Sequence, residues 1–450
     1  MNKRKTSIAA VLLLILTVMV PARADAKGLQ FIRDAEIENI IRAYATPLFQ
    51  ASGLSPRAID VYLVQDTQLN AFVTPGLNMF LFTGLLMRAD DPLQVIGVIA
   101  HETGHLAAGH TATRKDNLRS TQTSLIVSYI IGLGAAIATG RPEVGTAIIK
   151  GGQDIALKGL LRYTRSQESV ADQAAVRLLN GTGQSPRGLL EFMRILGGQE
   201  ALLRINQDPY LRTHPLAQNR IDFLEDQVSK SPHRNTPANP EFVAMHQRML
   251  AKLAGFLLPM ERVLKEYPDS DTTLPARYAR AIAHFKSGAI DRALALTDAL
   301  IAEHPKDPYF HELKGQMLFE NGRIPGALSE YEKASRLLPD SPQIRLALAQ
   351  AQIEMDDRAL DEAALRNLDE TFRHEPSNAF AWRLAAVAYG RRGDVGMTAL
   401  ALAERALALG KAPEAREQAA RAQKILPQGS PAWLRAADLD RLAARRIKKQ

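Results

Sequence analysis

A 34-residue repeat in the second half of the chain constrains its fold more than any other feature. Pro305 and Pro339 close two matching phrases, AEHPKDP and LLPDSP, and Gly288 and Gly322, like Ala293 and Ala327, stand at the same spacing of 34. A unit of that length is a pair of antiparallel helices that cannot bury its apolar face alone, so such units stack into a solenoid. Pro268 and Pro376 continue the series at spacings of 37, so the flanking units carry three extra residues. Beyond Gly393 the register decays, although KILPQGSP around Pro427 echoes the same ending. Atypical terminal units suit an outer face that meets water.

The period is that of the tetratricopeptide repeat, with Leu313, Gly315 and Phe319 in first-helix positions and Ala327 as the small residue where two helices cross. A chain of 450 residues has room for two or three folding units. From about residue 28 to 230 strand-like and helix-like stretches alternate, whereas from about 240 onward the pattern is helical. Residues 229–240, SKSPHRNTPANP, have no apolar period and read as a linker or long loop. The expected domains are therefore 28–230 and a repeat domain over 240–450. Because each repeat packs mainly on its neighbours, the first half is expected to fold without residues from about 240 onward.

Residues 1–24 read as an export signal: Lys3, Arg4 and Lys5, then an apolar run from Ile8 to Val20, then the small-residue site Ala22-Arg23-Ala24, with cleavage near Ala24. The run stops at Pro21, short of the roughly 20 residues that a membrane helix needs. With no cysteine, the chain has no disulfide, thiolate metal site or cysteine nucleophile. The net charge of +8 falls to +4 once Lys3, Arg4, Lys5 and Arg23 are removed, and Arg441, Arg445, Arg446, Lys448 and Lys449 place five cations at one end. No basic stripe with interleaved aromatics is present, which argues against a nucleic-acid partner. The basic tail is either solvated or in peripheral contact with anionic lipid.

Residues 101–105 read His-Glu-Thr-Gly-His, the HExxH arrangement, in which two histidines one helical turn apart face one metal. Asp91 is a good N-cap, Pro92 suits the first helical position, and Gln94 completes a box-like D-x-x-Q; Leu93, Val95, Ile96, Val98 and Ile99 then bury the helix. A hydrolytic zinc site needs a third protein ligand and one open position for water. His110 is expected to fail as that ligand, since nine residues of unbroken helix turn it about 180° from His101. It reads instead as a buried or capping histidine. The better candidate is Glu168 in RSQESVADQAAVRLLNG, a helix closed by Asn180-Gly181. Asp172, four residues on, shares its face and can accept a hydrogen bond from a ligand histidine's other ring nitrogen.

HExxH, Glu168-Ser-Val-Ala171-Asp172 as E-x-x-A-D, residues 213–221 as T-H-P-L-x-x-x-R-I, and NAFVTPG over 70–76 resemble the HtpX-like and prenyl-protease family of zinc metallopeptidases. One departure is Leu77, where the family commonly has a second glycine. The resemblance covers about residues 30–225, and the export signal with the repeats is similar to the family's periplasmic, tetratricopeptide-bearing branch. It implies an α+β, mainly helical fold: a gluzincin metallopeptidase domain with a small β-sheet, followed by an all-α tetratricopeptide-repeat solenoid. It further implies one zinc ion per chain on His101, His105 and Glu168, with Glu102 as the catalytic base. His214 is implied to sit near the zinc, either as a fourth ligand that displaces water or as an oxyanion donor, a task that Arg220 could share.

The implied reaction is peptide hydrolysis in the periplasm, in quality control of outer-membrane proteins. Its substrates would be unfolded or misassembled envelope proteins, with the repeats docking on the β-barrel assembly machinery. The rival class is a chaperone or scaffold whose repeats hold clients over a latent or vestigial protease. Asn78, Met79, Phe80, Leu81 and Phe82 are β-prone and precede the HExxH helix, as an edge strand that pairs with substrate would; an ordinary core strand is the alternative. Residues 124–138 are the most apolar stretch after the signal, yet short and broken by Gly132 and Gly134. A buried helix or a lid over the cleft fits them, with membrane-surface contact as the alternative.

Overall fold

The computed structural model describes residues 30–110, 163–202, 214 and 218–448. Its fold is α+β and mainly helical. Four strands, β1 (Gln30–Ile32), β2 (Asp60–Gln65), β3 (Ala71–Thr74) and β4 (Asn78–Phe82), form one mixed sheet in the order β1-β2-β4-β3. Around it lie α1 (Ala35–Ala51), α2 (Thr83–Arg88), α3 (Pro92–Ala107), α4 (Arg165–Gly181), α5 (Arg187–Leu202) and α6 (Gln218–Lys230). Alternation along the strands sends Leu63, Val73, Met79 and Leu81 into the core shared with α1 and α3. Residues 1–24 and 124–138 lie outside the described residues. Among those described, no helix is long and apolar enough to cross a membrane.

The expectation of an edge strand at 78–82 is corrected. β4 is interior, antiparallel to β3 with Val73 opposite Met79 and parallel to β2 with Leu63 opposite Leu81. Both of its edges are therefore committed to the ladder, and Asn78, Met79, Phe80, Leu81 and Phe82 are buried. The outer strand next to it is β3. The turn between them holds Gly76 at φ 95° and Leu77 at φ 62°. The left-handed region costs a residue with a Cβ about 1–2 kcal/mol, and here leucine adopts it, with its side chain packed on the core.

α3 is the central helix, buried from Pro92 to Leu106. Asp91 accepts from the Leu93 N–H at 2.8 Å, as a cap should, but Gln94 does not close a capping box: its Nε2 donates to Asp90 Oδ1 at 2.7 Å. Gly97 allows the backbone of α5 to approach, since a Cβ there would stand 2.6 Å from Leu189 N.

α7 (Pro240–Leu257) serves both halves. Met249 and Leu253 lie in the same apolar core as α1 and α3, and Phe242 packs edge-on to Tyr44 at 5.0 Å, while the Tyr44 hydroxyl donates to Phe242 O. The loop before it is pinned by Ser231, which donates to Asn180 at 2.6 Å. After α8 (Met260–Glu266) come paired helices: α9 (Leu274–Lys286) with α10 (Ile290–Glu303), α11 (Pro308–Glu320) with α12 (Ile324–Leu337), α13 (Pro342–Glu354) with α14 (Arg358–His374), α15 (Ala379–Arg391) with α16 (Val395–Ala408), and α17 (Ala412–Ile425) with α18 (Pro431–Ile447). Gly288 and Gly322 take positive φ at the turns inside the first two pairs, and Asp356, 34 residues further on, takes φ 55° at the third. The spacing of 37 has a simple origin: α14 has 17 residues where α10 and α12 have 14.

The start of α1 is held by the helices of the second half. Glu36 accepts from Arg248 at 2.6 Å, from Lys252 at 3.2 Å and from the Tyr278 hydroxyl at 2.8 Å; Asp34 accepts from Lys252 at 2.8 Å. Arg33 joins Glu38 to Glu375, Asn39 meets the Tyr309 hydroxyl at 3.0 Å, and Gln343 donates to Glu38. Lys252 and Glu36 are almost fully buried here, so the seam is a desolvated network rather than a set of surface ion pairs.

Candidate metal centre

α3 carries His101 and His105 one turn apart, and α4 crosses it closely enough to bring a carboxylate to them. The close approach depends on Gly104 inside the HExxH run: a Cβ there would stand 2.9 Å from Ala171 O. α4 begins with a capping box, in which Thr164 accepts from the Gln167 N–H and Gln167 bonds back to the Thr164 N–H. That box fixes the first turn, and Glu168 on it points at the two imidazoles.

The donor atoms form a compact group. His101 Nε2 and His105 Nε2 are 3.2 Å apart, and the Glu168 carboxylate lies 3.4 Å from the first and 3.3 Å from the second. His214 adds its Nδ1, 3.4 Å from His101 Nε2 and 3.0 Å from Glu168 Oε1. All four donors lie within 4.8 Å of one another, and all four residues are buried. A tetrahedral ion with bonds of about 2.0–2.1 Å sets neighbouring ligand atoms about 3.3–3.4 Å apart, and these edges match that figure. The donor set fits one small divalent ion.

The charges fit as well. Burial opposes a proton on His101, but Asp172 and Glu168 outweigh it and push the imidazole up to about 10. Against burial, His214, His101 and His105 hold Glu168 well below the usual carboxylate range. Burial keeps His105 well below the ordinary histidine value. The pocket thus favours one positive charge among its ligands, the charge that a cation would supply. Burial pushes the Glu102 carboxyl up, with His214 and His101 opposing. Neither Glu102 oxygen has a hydrogen-bond partner among the described residues, and Oε1 is 3.5 Å from His214 Nε2.

Asp172 Oδ1 stands 2.9 Å from His101 Nδ1. Arg220 grips Asp172 with two bonds, Nε to Oδ2 at 2.7 Å and Nη2 to Oδ1 at 2.9 Å, and reaches Glu168 Oε2 with Nη1 at 2.8 Å. Despite burial, the Arg220 bond holds Asp172 down at about 2. The expected oxyanion role of Arg220 is therefore corrected: its guanidinium is spent on the two carboxylates and positions them.

The reason given for setting His110 aside also needs correction. α3 ends at Ala107 rather than running on, Gly109 turns the chain at φ 65°, and the His110 N–H donates back to His105 O. His110 Nδ1 then stands 3.0 Å from His105 Nδ1, outside the donor group but against a member of it. Tyr163 was missed. Its ring stacks on His105 at 3.7 Å and its hydroxyl donates to Val73 O of β3 at 3.2 Å. No local pattern in RYTRSQES marks it, because the contact is made only when α4 meets α3.

The profile of Peptidase family M48 matches residues 32–228, and a tetratricopeptide-repeat profile matches residues 278–342. Among curated relatives, the beta-barrel assembly-enhancing protease of Yersinia pestis is 24% identical over 337 residues, 74% of this chain and 68% of the relative. The protein of that name from Escherichia coli (strain K12) is 23% identical over 297 residues, 65% of this chain and 60% of the relative. A mitochondrial metalloendopeptidase of Schizosaccharomyces pombe is 28% identical over 184 residues, 40% of this chain and 49% of the relative. These matches span from about half to about two thirds of the relatives' own lengths. Family M48 enzymes depend on a metal, and the buried histidine and glutamate group can hold one. Residues 32–228 are thus a metalloendopeptidase domain of peptidase family M48, and tetratricopeptide repeats follow it on the same chain.

Proposed function

We propose that the chain is a zinc-dependent endopeptidase of the bacterial periplasm, acting in the quality control and assembly of outer-membrane proteins. The observation that carries the catalytic part is the buried donor group whose edges of 3.2–3.4 Å fit a tetrahedral ion. The envelope role draws on the likeness to the beta-barrel assembly-enhancing proteases and on the export-signal pattern of residues 1–24. Unfolded or misassembled envelope proteins are the proposed substrates. The repeats are proposed to dock on the outer-membrane assembly machinery, with peripheral lipid contact through the basic residues 441–449.

His101, His105 and Glu168 would hold the zinc, which when bound supplies Lewis-acid polarisation of water and of a peptide carbonyl. Glu102 takes a proton from the attacking water and returns it to the leaving amine; its raised affinity for a proton, set by burial, suits it to both steps. Asp172, held by Arg220, fixes the His101 ring from behind. β3, whose outer side carries the Tyr163 contact, replaces β4 as the strand beside which an extended substrate would lie.

His214 gives the second reading its support. Its Nδ1 lies in the donor group while its Nε2 faces Glu102, so it covers the position where water would bind and the base that would deprotonate it. We assign it as a fourth ligand that keeps the protease latent, which leaves room for a client-holding role of the repeats. The test is metal analysis and casein cleavage on the exported form, with and without chelator. Glu102→Gln should keep about one zinc and lose activity by about 10²–10⁴-fold, because the base is not a ligand. His214→Ala should raise the initial rate at equal zinc occupancy, and a strong fall would restore the oxyanion role. Full loading with no cleavage by wild type or His214→Ala would favour the chaperone.

A further inference from the structure

The two ligand histidines are backed differently. His101 turns its Nδ1 to a carboxylate, Asp172, but His105 turns its Nδ1 to another imidazole, that of His110, at 3.0 Å. A proton must lie between two ring nitrogens at that distance, and the geometry of the donor group says which one carries it. His105 Nε2 can bind a metal only through its lone pair, so in the neutral ring the proton sits on Nδ1. His105 is then the donor and His110 Nδ1 the acceptor, and the His110 proton is displaced to its own Nε2.

Three local features hold this arrangement. The helix stops at Ala107, Gly109 takes φ 65°, and the His110 N–H closes the turn on His105 O, so the second ring folds back over the first at a centroid distance of 5.2 Å. Tyr163 stacks on His105 at 25° and leaves its ring little freedom to tilt. An Nδ1 partner of a ligand histidine sets tautomer and ring orientation, and its loss typically costs about 10–100-fold in metal affinity.

We infer that His110 is a positioning residue for the metal: by accepting the Nδ1 proton of His105 it fixes the tautomer that presents Nε2 to the ion. The inference rests on the proposed ligand set, and the experiment separates the two. Zinc affinity of the whole exported chain is measured by competition with a chromophoric chelator for wild type, His110→Ala, His110→Asn and His105→Ala, together with the thermal midpoint of each metal-free protein. His110→Ala should bind zinc about 10–100-fold more weakly with an unchanged metal-free midpoint, and His110→Asn, whose Oδ1 can accept the same proton, should recover most of the affinity. Unchanged affinity in His110→Ala, or an Asn variant as weak as Ala, would overturn the positioning role. If instead His105→Ala binds zinc as tightly as wild type, the ligand set itself is wrong.

Discussion

Lys252 is the group on which the junction of the two halves depends most. It is 3% exposed, and its ammonium lies 2.8 Å from Asp34 and 3.2 Å from Glu36. The carboxyl of Glu312 is near enough to act on it as well. Lys252→Met preserves the stem but leaves these carboxylates facing one another, with Arg248 alone to compensate Glu36. Breaking a buried pair by removing one partner costs about 3–5 kcal/mol, against about 0.5 kcal/mol or less for a surface change. At roughly 2–4 °C per kcal/mol for a unit of some 200 residues, the unfolding midpoint should fall on the order of 10 °C. Lys252 is held well above its ordinary value, so its contribution is fully present below the unfolded pKa of about 10.4 and is lost only as pH rises through the still higher folded one. The effect should therefore be the same at pH 6 and pH 8. Calorimetry on the whole chain is the assay, with Lys265→Met, at an exposed site on α8, as the control. Equal midpoints for the two variants would refute the idea that the seam is desolvated and joins the halves.

Two further predictions concern the same junction. Burial, with Asp34, Glu36 and Glu38 adding and Lys252 opposing, pushes the Glu312 carboxyl up to about 8, so the fold keeps a proton that the unfolded chain releases near pH 4.3. Stability then falls between about pH 4.3 and 8, and Glu312→Gln should gain stability over wild type at pH 8.5 but little at pH 5; parallel pH profiles would exclude this. A chain ending at residue 239 should fail to fold and one ending at 259 should fold and bind metal, judged by circular dichroism and metal analysis. The shorter one loses Met249, Leu253 and the Phe242 contact with Tyr44 from the first core, and each buried apolar side chain is worth about 1.5–3 kcal/mol. A well-folded shorter chain would restore the division at 240 expected from the linker-like 229–240.

What the sequence determined by itself was periodic or local. The 34-residue spacing, HExxH with its cap at Asp91, and the Glu168–Asp172 face depend on the 3.6-residue turn and on helix-end chemistry, both written in neighbouring residues. Even the extra turn of α14 was present as a spacing of 37. Tertiary structure decided whatever depends on which segments meet. Five β-prone residues look alike at the edge or the middle of a sheet, and only the pairing of β4 with both β2 and β3 made it interior. Helix periodicity placed His110 on the far side of a helix that in fact had ended three residues earlier, since a single glycine at positive φ reverses a direction that rotation per residue assumes constant. Arg220, Tyr163 and Lys252 carry no motif: each gains its role from a partner 48, 58 or 216 residues or more away in the chain, at distances of a few ångströms that no short-range rule encodes.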